Sequence, residues 1–241
     1  MKAIIMAAGR GSRISSQING MHKSTLKVGG DSIISRTVTM LLSRGIDVCV
    51  VVGYRQDDIR VELNGLPVTF IENPFFNVTN SLASLWLAKE QWSDESVLLI
   101  NSDLFMEDAI LDAIIKDPRS PVMAADPHPR RIREGDFFFK YTSQLHLTDY
   151  GKELPLNERT GEYLGIAKVN QSDRDSCLLS LGDLVKSGCY DDWWESILYC
   201  RVPKGEMVHV LEVSDCYWSE VDVIEDYISL QHAFALRDPN A

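Results

Sequence analysis

The feature that most constrains the fold is a regular alternation of short apolar segments with helical patterns along the first half of the chain. The apolar segments are rich in Val, Ile, Leu and Ala and lie at 3–8, 48–53, 68–72, 96–102 and 121–125. Between them, apolar residues recur at helical spacing, as at Ile34, Val38 and Leu41. This alternation predicts βαβ units, and therefore an α/β fold with a mostly parallel central sheet and helices on both faces.

The pattern changes after Asp126. Residues 136–142 and 144–148 read as a pair of antiparallel strands, with a turn signal at 149–151, and residues 162–170 as a further strand. Helices are then expected at 172–187, 191–200 and 223–236, and strands at 208–213 and 218–221. We therefore expect a single domain over residues 1–241, with a small antiparallel insertion at roughly 127–165 that helps to bind the substrate.

Composition excludes several classes of protein. Asp and Glu total 35 against 24 Lys and Arg, and the formal net charge of −11 argues against a nucleic-acid partner. The five cysteines form no C-x-x-C pair, and an odd number suits a reducing compartment, so we expect a cytoplasmic protein. No apolar run approaches the length of a membrane span, so we expect no membrane insertion.

A glycine loop follows the first predicted strand, at residues 7–13 (AAGRGSR). Small residues let the backbone approach a ligand closely, and successive amides in a tight loop form an anion-binding nest. Ile14 stands where a dinucleotide fingerprint needs its third glycine, which argues against an NAD-linked reductase. No glycine directly precedes Lys23, which argues against a P-loop.

Further segments follow this loop in a fixed order along the chain: 23–30 (KSTLKVGG), 73–86 (NPFFNVTNSLASLW), 98–103 (LLINSD), 165–168 (GIAK), 192–195 (DWWE) and 218–226 (WSEVDVIED). Together they resemble the sugar-phosphate and choline-phosphate nucleotidyltransferase family, and the resemblance spans nearly the whole chain. His22, where the family usually has proline, is similar to the phosphocholine cytidylyltransferase branch. Segment 165–168 is similar to a strand of the phosphonate cytidylyltransferases.

The resemblance implies a Rossmann-like fold and a Mg²⁺-dependent enzyme. It would transfer CMP from CTP to a small phosphate or phosphonate acceptor of the phosphocholine or 2-aminoethylphosphonate class, releasing pyrophosphate. A sugar-1-phosphate uridylyl- or thymidylyltransferase is the nearest alternative, and a non-catalytic nucleotide-binding protein on the same fold is another. The expected partners are CTP and the acceptor, and a homodimer is left open.

The resemblance also implies a catalytic set. Arg13 and Lys23 would contact the triphosphate and the transferring phosphoryl group, and Asp103 and Asp222 would bind Mg²⁺. Both aspartates follow predicted strands, and the carboxyl ends of parallel strands form a binding crevice. On the residues alone, each aspartate could instead cap the helix that follows it. The expected nucleotide-binding residues are Ala7, Ala8, Gly9, Arg10, Gly11, Ser12, Asn80, Ser81 and Ser84.

The acceptor site is expected to involve Asp136, Lys168, Trp193, Trp194 and Trp218. Aromatic faces can enclose a quaternary ammonium, which would favour phosphocholine, but the same tryptophans could be core residues. Asp136 could instead meet a primary ammonium, which would favour 2-aminoethylphosphonate. Lys168 would contact the acceptor's phosphate or phosphonate, or would be a solvated lysine at a strand edge.

Overall fold

The computed structural model describes residues 1–92 and 95–237, which form thirteen strands and eight α-helices. The strands are β1 (Lys2–Ala7), β2 (Lys27–Val28), β3 (Asp31–Ser32), β4 (Asp47–Val52), β5 (Val68–Glu72), β6 (Val97–Asn101), β7 (Leu104–Met106), β8 (Val122–Asp126), β9 (Phe138–Tyr141), β10 (Leu147–Gly151), β11 (Gly161–Val169), β12 (His209–Glu212) and β13 (Trp218–Glu220). The helices are α1 (Ile33–Leu42), α2 (Gln56–Glu62), α3 (Ser81–Leu87), α4 (Asp108–Lys116), α5 (Pro129–Glu134), α6 (Gln171–Lys186), α7 (Ser196–Tyr199) and α8 (Ile224–Arg237).

Nine strands form a large sheet whose central part is parallel, as predicted. Strands β6, β1, β4 and β5 lie side by side and run in the same direction. Strand β11 pairs antiparallel with β6 on one side and with β8 and β9 on the other. Because parallel neighbours need crossover connections, the intervening helices are placed against the faces of the sheet.

The residues of β1 alternate between two apolar cores. Ala3, Ile5 and Ala7 belong to one core cluster, whereas Ile4 and Met6 belong to the other. Successive side chains of a strand point to opposite faces, so both faces of the sheet at β1 are covered. This explains the unbroken apolar run in the sequence. A third cluster packs the segment after β1 against α8, through residues that include Ile14, Ile18 and Leu230.

The second half of the chain shows both successes and corrections. The antiparallel pair in the insertion is confirmed as β9 and β10, but residues 149–151 lie within β10, so the predicted turn there is wrong. The helix predicted at 191–200 is confined to α7. Strand β13 pairs antiparallel with β7 in a separate two-stranded sheet, so Asp222 does not follow a strand of the parallel sheet.

Two loops are brought together by this topology. The glycine loop leaves the carboxyl end of β1, and Asp103 lies just beyond the carboxyl end of the neighbouring strand β6. The end of β13 joins them, because the Val221 amide donates to the Asp103 carbonyl over 3.2 Å. Within the described ranges, every helix is too short or too polar to cross a membrane.

Ile100, which is fully buried in β6, provides a test of this core. We expect Ile100→Ala to lower the free energy of unfolding by about 2–5 kcal/mol, because it removes buried methyl groups and leaves a cavity. Val61→Ala, at a side chain that is 73% exposed, should change it by less than about 0.5 kcal/mol. Urea unfolding measures both variants, and equal losses would contradict the assignment of Ile100 to the core.

Candidate active site

A cavity of about 320 Å³ opens at the carboxyl ends of β1 and β6. Its lining comes from the glycine loop, the segment before and within α3, the end of β6, the insertion, the segment around α7 and the end of β13. The sequence-predicted residues that line it are Ala8, Gly9, Arg10, Gly11, Ser12, Arg13, Lys23, Asn80, Ser81, Ser84, Asp103, Asp136, Trp193 and Asp222. The predicted residues are therefore largely brought together by the fold.

Lys23 is the centre of the cavity's charged cluster. Its ammonium pairs with Asp103 Oδ2 and lies 2.6 Å from Asp222 Oδ1. Arg13 Nη1 lies 2.8 Å from the other oxygen of Asp222, Oδ2, and 3.5 Å from Asp136 Oδ2. The four predicted catalytic residues thus form one connected network, although they come from distant parts of the chain.

The local structure around Lys23 places its side chain between Asp103 and Asp222. The buried His22 precedes the 3-10 helix Lys23–Thr25, and its Nδ1 accepts the Ser24 backbone N–H over 3.3 Å. Burial lowers the pKa of His22 to about 4, so the ring is neutral near pH 7 and adds no positive charge. Gly11 has a φ of +55°, and a Cβ there would lie 3.2 Å from Lys23 Cδ. Glycine therefore suits both the turn and the passage of the lysine side chain.

Each charge in the cluster stabilises its neighbours. Burial opposes the charged form of Lys23, but Asp103 and Asp222 outweigh that effect and raise the pKa of Lys23 above its ordinary value. Burial likewise opposes ionisation of Asp222, and the charges of Lys23 and Arg13 hold the pKa of Asp222 below its ordinary value. Arg13, Lys23 and Asp222 are consequently ionised at neutral pH.

Two glutamates lie beside the cluster, the buried Glu195 and the partly buried Glu220, and the sequence analysis did not single them out. Asn101 Nδ2 donates to Glu195 Oε1 over 3.3 Å and to Glu220 Oε1 over 3.4 Å, and Trp194 Nε1 donates to Asn101 Oδ1 over 2.7 Å. Burial raises the pKa of Glu195 to about 7. Burial and the charges of Asp103 and Asp222 raise the pKa of Glu220 well above its ordinary value. A positive charge beside these two glutamates would favour their ionised form.

Gly165 leaves room for the Glu220 and Asn101 side chains beside β11. Its φ is +89°, and a Cβ at this position would lie 2.8 Å from Glu220 Oε1 and 3.0 Å from Asn101 Nδ2. Glycine at 165, in the GIAK segment, therefore allows the close approach of Glu220 and Asn101. The signal for both glutamates was present in the sequence, because each lies inside a segment that carried the family resemblance, 192–195 and 218–226.

Polar groups of the segment around α3 form another wall of the cavity. The buried Asn73 donates through Nδ2 to Thr79 Oγ1 over 3.2 Å and to Ser84 Oγ over 3.1 Å. Ser81 Oγ accepts the backbone N–H of Trp194 over 2.9 Å, which ties α3 to the segment before α7. These contacts fix the side chains of the wall before any ligand arrives. Ala7, which was expected to contact the nucleotide, is not among the lining residues of the described chain.

Aromatic rings cover the side of the cavity that the insertion forms. The Phe137 ring lies 5.7 Å from Trp193 and 5.6 Å from Tyr199, centroid to centroid. Lys152 Nζ pairs with Asp136 Oδ2 over 2.8 Å and lies 5.8 Å from the centroid of Trp193. Of these residues, sequence reasoning found Asp136 and Trp193 and missed Phe137, Lys152 and Tyr199, along with the lining residue Tyr163.

Three of the expected acceptor residues lie away from the cavity. Lys168 is buried at the other end of β11, where its ammonium donates to the Asp117 carbonyl, so it is neither a ligand contact nor solvated. Trp218 is 1% exposed, and its Nε1 donates to Asp126 Oδ2 over 2.8 Å. Trp194 is fully buried behind Asn101. Packing, rather than an aromatic cage, accounts for both tryptophans.

The donor set of the cluster fits Mg²⁺. Asp103 and Asp222 both direct a carboxylate oxygen at the same ammonium, and Asp103 Oδ1 is buried with no hydrogen-bond partner among the described residues. Within 1–92 and 95–237, no three His, Cys, Asp or Glu side chains are grouped so that they could hold a metal ion by themselves. Mg²⁺ suits such a pair, because it commonly takes one or two carboxylates and completes its shell with water and phosphate oxygens.

Comparisons with known proteins identify the relatives of this chain. The family model for the MobA-like NTP transferase domain matches residues 3–186. A choline-phosphate cytidylyltransferase of Streptococcus pneumoniae is 22% identical over 235 residues, which cover 96% of this chain and 97% of that protein. A 2-aminoethylphosphonate cytidylyltransferase of Lancefieldella rimae is 21% identical over 236 residues, with 96% and 92% covered.

A solved structure shares the fold of this chain. The solved structure of the CTP:phosphocholine cytidylyltransferase from Streptococcus pneumoniae superposes with a TM-score of 0.74 at 20% identity, covering 96% of this chain and 98% of that one. Two curated relatives match at 31% and 32% identity, but the chain spans only 20% and 48% of their lengths.

A double-mutant cycle tests the charged cluster without any ligand. Lys23→Met should lower the free energy of unfolding by about 3–5 kcal/mol, because it leaves the largely buried Asp103 without a counter-charge and Asp222 with Arg13 alone. Adding Asp103→Asn should recover part of that loss, since it removes one of those charges. Lys27→Met is the matched control: Lys27 pairs with Glu62 over 2.6 Å but is 53% exposed, so its loss should cost about 0–1 kcal/mol. Equal costs for both lysines, measured by urea unfolding at pH 7, would contradict the network.

Proposed function

The chain belongs to the MobA-like NTP transferase domain family, and from that premise we propose that it is a cytidylyltransferase acting on a small phosphate or phosphonate acceptor that carries an ammonium group. The observation that carries the proposal is the cluster of Lys23, Asp103 and Asp222, in a cavity that also contains the glycine loop and an aromatic, acidic wall. Joining two anions depends mainly on positioning and charge neutralisation, and the cluster is suited to both.

The reaction needs no covalent intermediate. An oxygen of the acceptor's phosphate or phosphonate attacks the α-phosphorus of CTP, and a new P–O bond forms. The bond from that phosphorus to the bridging oxygen of the β-phosphate breaks, and its electron pair leaves with pyrophosphate. No general base is required, because the attacking oxygen is largely ionised at neutral pH.

The residues of the cluster divide this work. Arg13 and Lys23 contact the triphosphate and neutralise charge that develops on the transferring phosphoryl group. Asp103 and Asp222 are the residues that would hold Mg²⁺, which supplies positive charge to the phosphate oxygens when bound. Because Lys23 already bridges the two carboxylates, its ammonium is placed close to any phosphate that approaches them.

The choice of CTP is supported by the wall around α3 and by the relatives. Among the described residues Ser84 Oγ has one hydrogen-bond partner, the amide of Asn73, which donates to it. The Ser84 hydroxyl therefore keeps its proton to donate to an acceptor atom of the base, such as N3 or O2 of cytosine. The two full-length relatives are both named as cytidylyltransferases.

The nature of the acceptor is supported by the aromatic and acidic residues of the cavity. Trp193 and Phe137 line the cavity with aromatic rings, which attract cations, and the buried Glu195 and the partly buried Glu220 are carboxylates that a cation would stabilise. The full-length relatives are named for choline-phosphate and 2-aminoethylphosphonate, and both of these molecules carry an ammonium group.

The experiment that tests the proposal is pyrophosphate release with Mg²⁺ across CTP, UTP, dTTP, ATP and GTP. Each nucleotide is paired with phosphocholine, 2-aminoethylphosphonate and glucose-1-phosphate. We expect turnover with CTP and with at least one ammonium-bearing acceptor, and none with glucose-1-phosphate. Turnover with UTP or dTTP and the sugar phosphate would instead identify a sugar-1-phosphate nucleotidyltransferase. CTP binding by calorimetry without turnover would favour a nucleotide-binding protein.

Asp103 is the sharpest single position for testing the metal. We expect Asp103→Asn to lower turnover by about 100-fold or more, because it removes a charge from the place where the phosphates meet. It should also weaken the dependence of CTP affinity on Mg²⁺, measured by calorimetry with and without the ion.

Asp108→Asn is the control for this substitution. Asp108 is a surface aspartate whose side chain is 57% exposed. It pairs with Arg44, which lies just after α1. Its substitution should leave both turnover and the Mg²⁺ dependence at wild-type values. Near-normal turnover of Asp103→Asn would remove Asp103 from the metal site.

A further inference from the structure

Two carboxylates share the Arg13 guanidinium, and they belong to different parts of the fold. Asp222 follows β13, whereas Asp136 lies in a turn of the insertion that we call the acceptor loop, residues 135–137. The spacing between these two segments therefore decides whether Arg13 can contact both acids. It also sets the position of Phe137, which lines the cavity beside Asp136.

The acceptor loop is held from behind by Glu162 of β11. Glu162 is buried, and its Oε1 accepts the backbone N–H of Asp136 over 3.2 Å. The loop lies so close to this carboxyl that a Cβ on Gly135 would come within 2.4 Å of Glu162 Cδ and 2.7 Å of the Arg131 carbonyl. Glycine at 135 is thus required by the contact with Glu162.

Arg131 of α5 connects this carboxyl to β13. Its Nη1 lies 3.7 Å from Glu162 Oε2, and its Nη2 donates to the Trp218 carbonyl over 2.7 Å. Its guanidinium carbon lies 4.3 Å from the centroid of the Trp218 ring. Trp218 is itself fixed by Asp126, as described above. One side chain therefore contacts both the support of the acceptor loop and the strand that leads to Asp222.

We propose that Arg131 and Glu162 are positioning residues that hold the acceptor loop at a fixed distance from β13. Neither residue lines the cavity in the described part of the chain, so both act through Asp136 and Phe137. The inference rests on the proposed function, because it takes the acceptor loop to contact the acceptor. It also gives Trp218 a role, as the fixed surface against which Arg131 packs.

Loss of this support should affect the acceptor more than CTP. Asp222 has anchors of its own, since it pairs with Lys23 and its backbone N–H donates to Asp226 Oδ2 over 2.9 Å. The acceptor loop, in contrast, loses the Glu162 oxygen that accepts the Asp136 N–H, although the Phe137 carbonyl still accepts the Tyr163 N–H over 2.8 Å and Asp136 still pairs with Lys152. The loop would therefore move first, and the metal-binding side of the cavity would stay in place.

The test compares Arg131→Met with Arg119→Met. Arg119 pairs with Asp117 far from the cavity, and the two pairs are similarly exposed, 30% and 5% against 33% and 8%. We expect Arg131→Met to raise the KM for the acceptor by about tenfold or more, as for a lost hydrogen bond to a charged group. The KM for CTP should change by less than threefold, and Arg119→Met should leave both KM values unchanged. An unchanged acceptor KM in Arg131→Met, or an equal rise in Arg119→Met, would overturn the proposal.

Two variants of Glu162 separate positioning from simple loss of stability. Glu162→Gln keeps an oxygen that can accept the Asp136 N–H, whereas Glu162→Leu does not. We therefore expect the acceptor KM to rise less in Glu162→Gln than in Glu162→Leu. Equal effects of the two substitutions would overturn the role of that hydrogen bond, and this comparison also decides the matter if Arg131→Met fails to fold.

Hydrogen–deuterium exchange tests the same inference without turnover. Peptides covering 134–139 should exchange faster in Glu162→Leu and Arg131→Met than in the wild type, and at the wild-type rate in Arg119→Met. If the wild type shows no turnover with any acceptor, the proposed function fails, but the exchange result still supports or overturns the support of the loop. Unchanged exchange in both Glu162→Leu and Arg131→Met would overturn it.

Discussion

The ion pairs that Lys23 makes with Asp103 and Asp222 are the interactions on which the site depends. They join a segment near the amino terminus, the end of a central strand and a segment near the carboxyl terminus. None of the three groups would be stable alone at this depth, because an isolated buried charge is costly and tends to neutralise. The chain must therefore fold completely before the site exists, and the site in turn stabilises the closing contact between β13 and the central sheet.

Much of the fold could be predicted because a strand that is buried on both faces of a sheet has an almost continuous run of apolar residues. Strands β1, β4 and β6 are apolar apart from one end residue each, Lys2, Asp47 and Asn101, and only a strand covered on both sides tolerates such a run. The glycine loop could be predicted for a related reason, since few residues permit the turn at Gly11. The separate pairing of β13 with β7 could not be predicted, because each strand has only three residues and is too short to show a recognisable pattern.

The acceptor side could be predicted only in part, because the direction of a side chain depends on tertiary packing. Gly165 and Lys168 are three residues apart in β11, about 10 Å along a strand. The glycine lies against Glu220 and Asn101, which line the cavity, whereas the lysine donates to the Asp117 carbonyl. Trp193 and Trp194 are adjacent, yet one faces the cavity and the other is enclosed in the core. Glu162 was missed because the sequence alone does not show whether a glutamate is buried or solvated. Its burial results from the packing of α5 and the acceptor loop against it.

The passage of Lys23 beneath Gly11 has a consequence for the thermodynamics of ligand binding. A free lysine side chain samples many rotamers, and fixing one at an interface typically costs about 0.5–1.5 kcal/mol. Here the stem is confined by Gly11 and the ammonium by two acids, so that entropy is lost during folding. In the proposed function, an arriving phosphate would meet a cation that is already ordered, and Lys23 would exchange one set of anionic oxygens for another. Before binding, the carboxylates thus take the place that phosphate oxygens would have around the Lys23 ammonium. Little reorganisation of the lysine side chain is then needed when a phosphate binds.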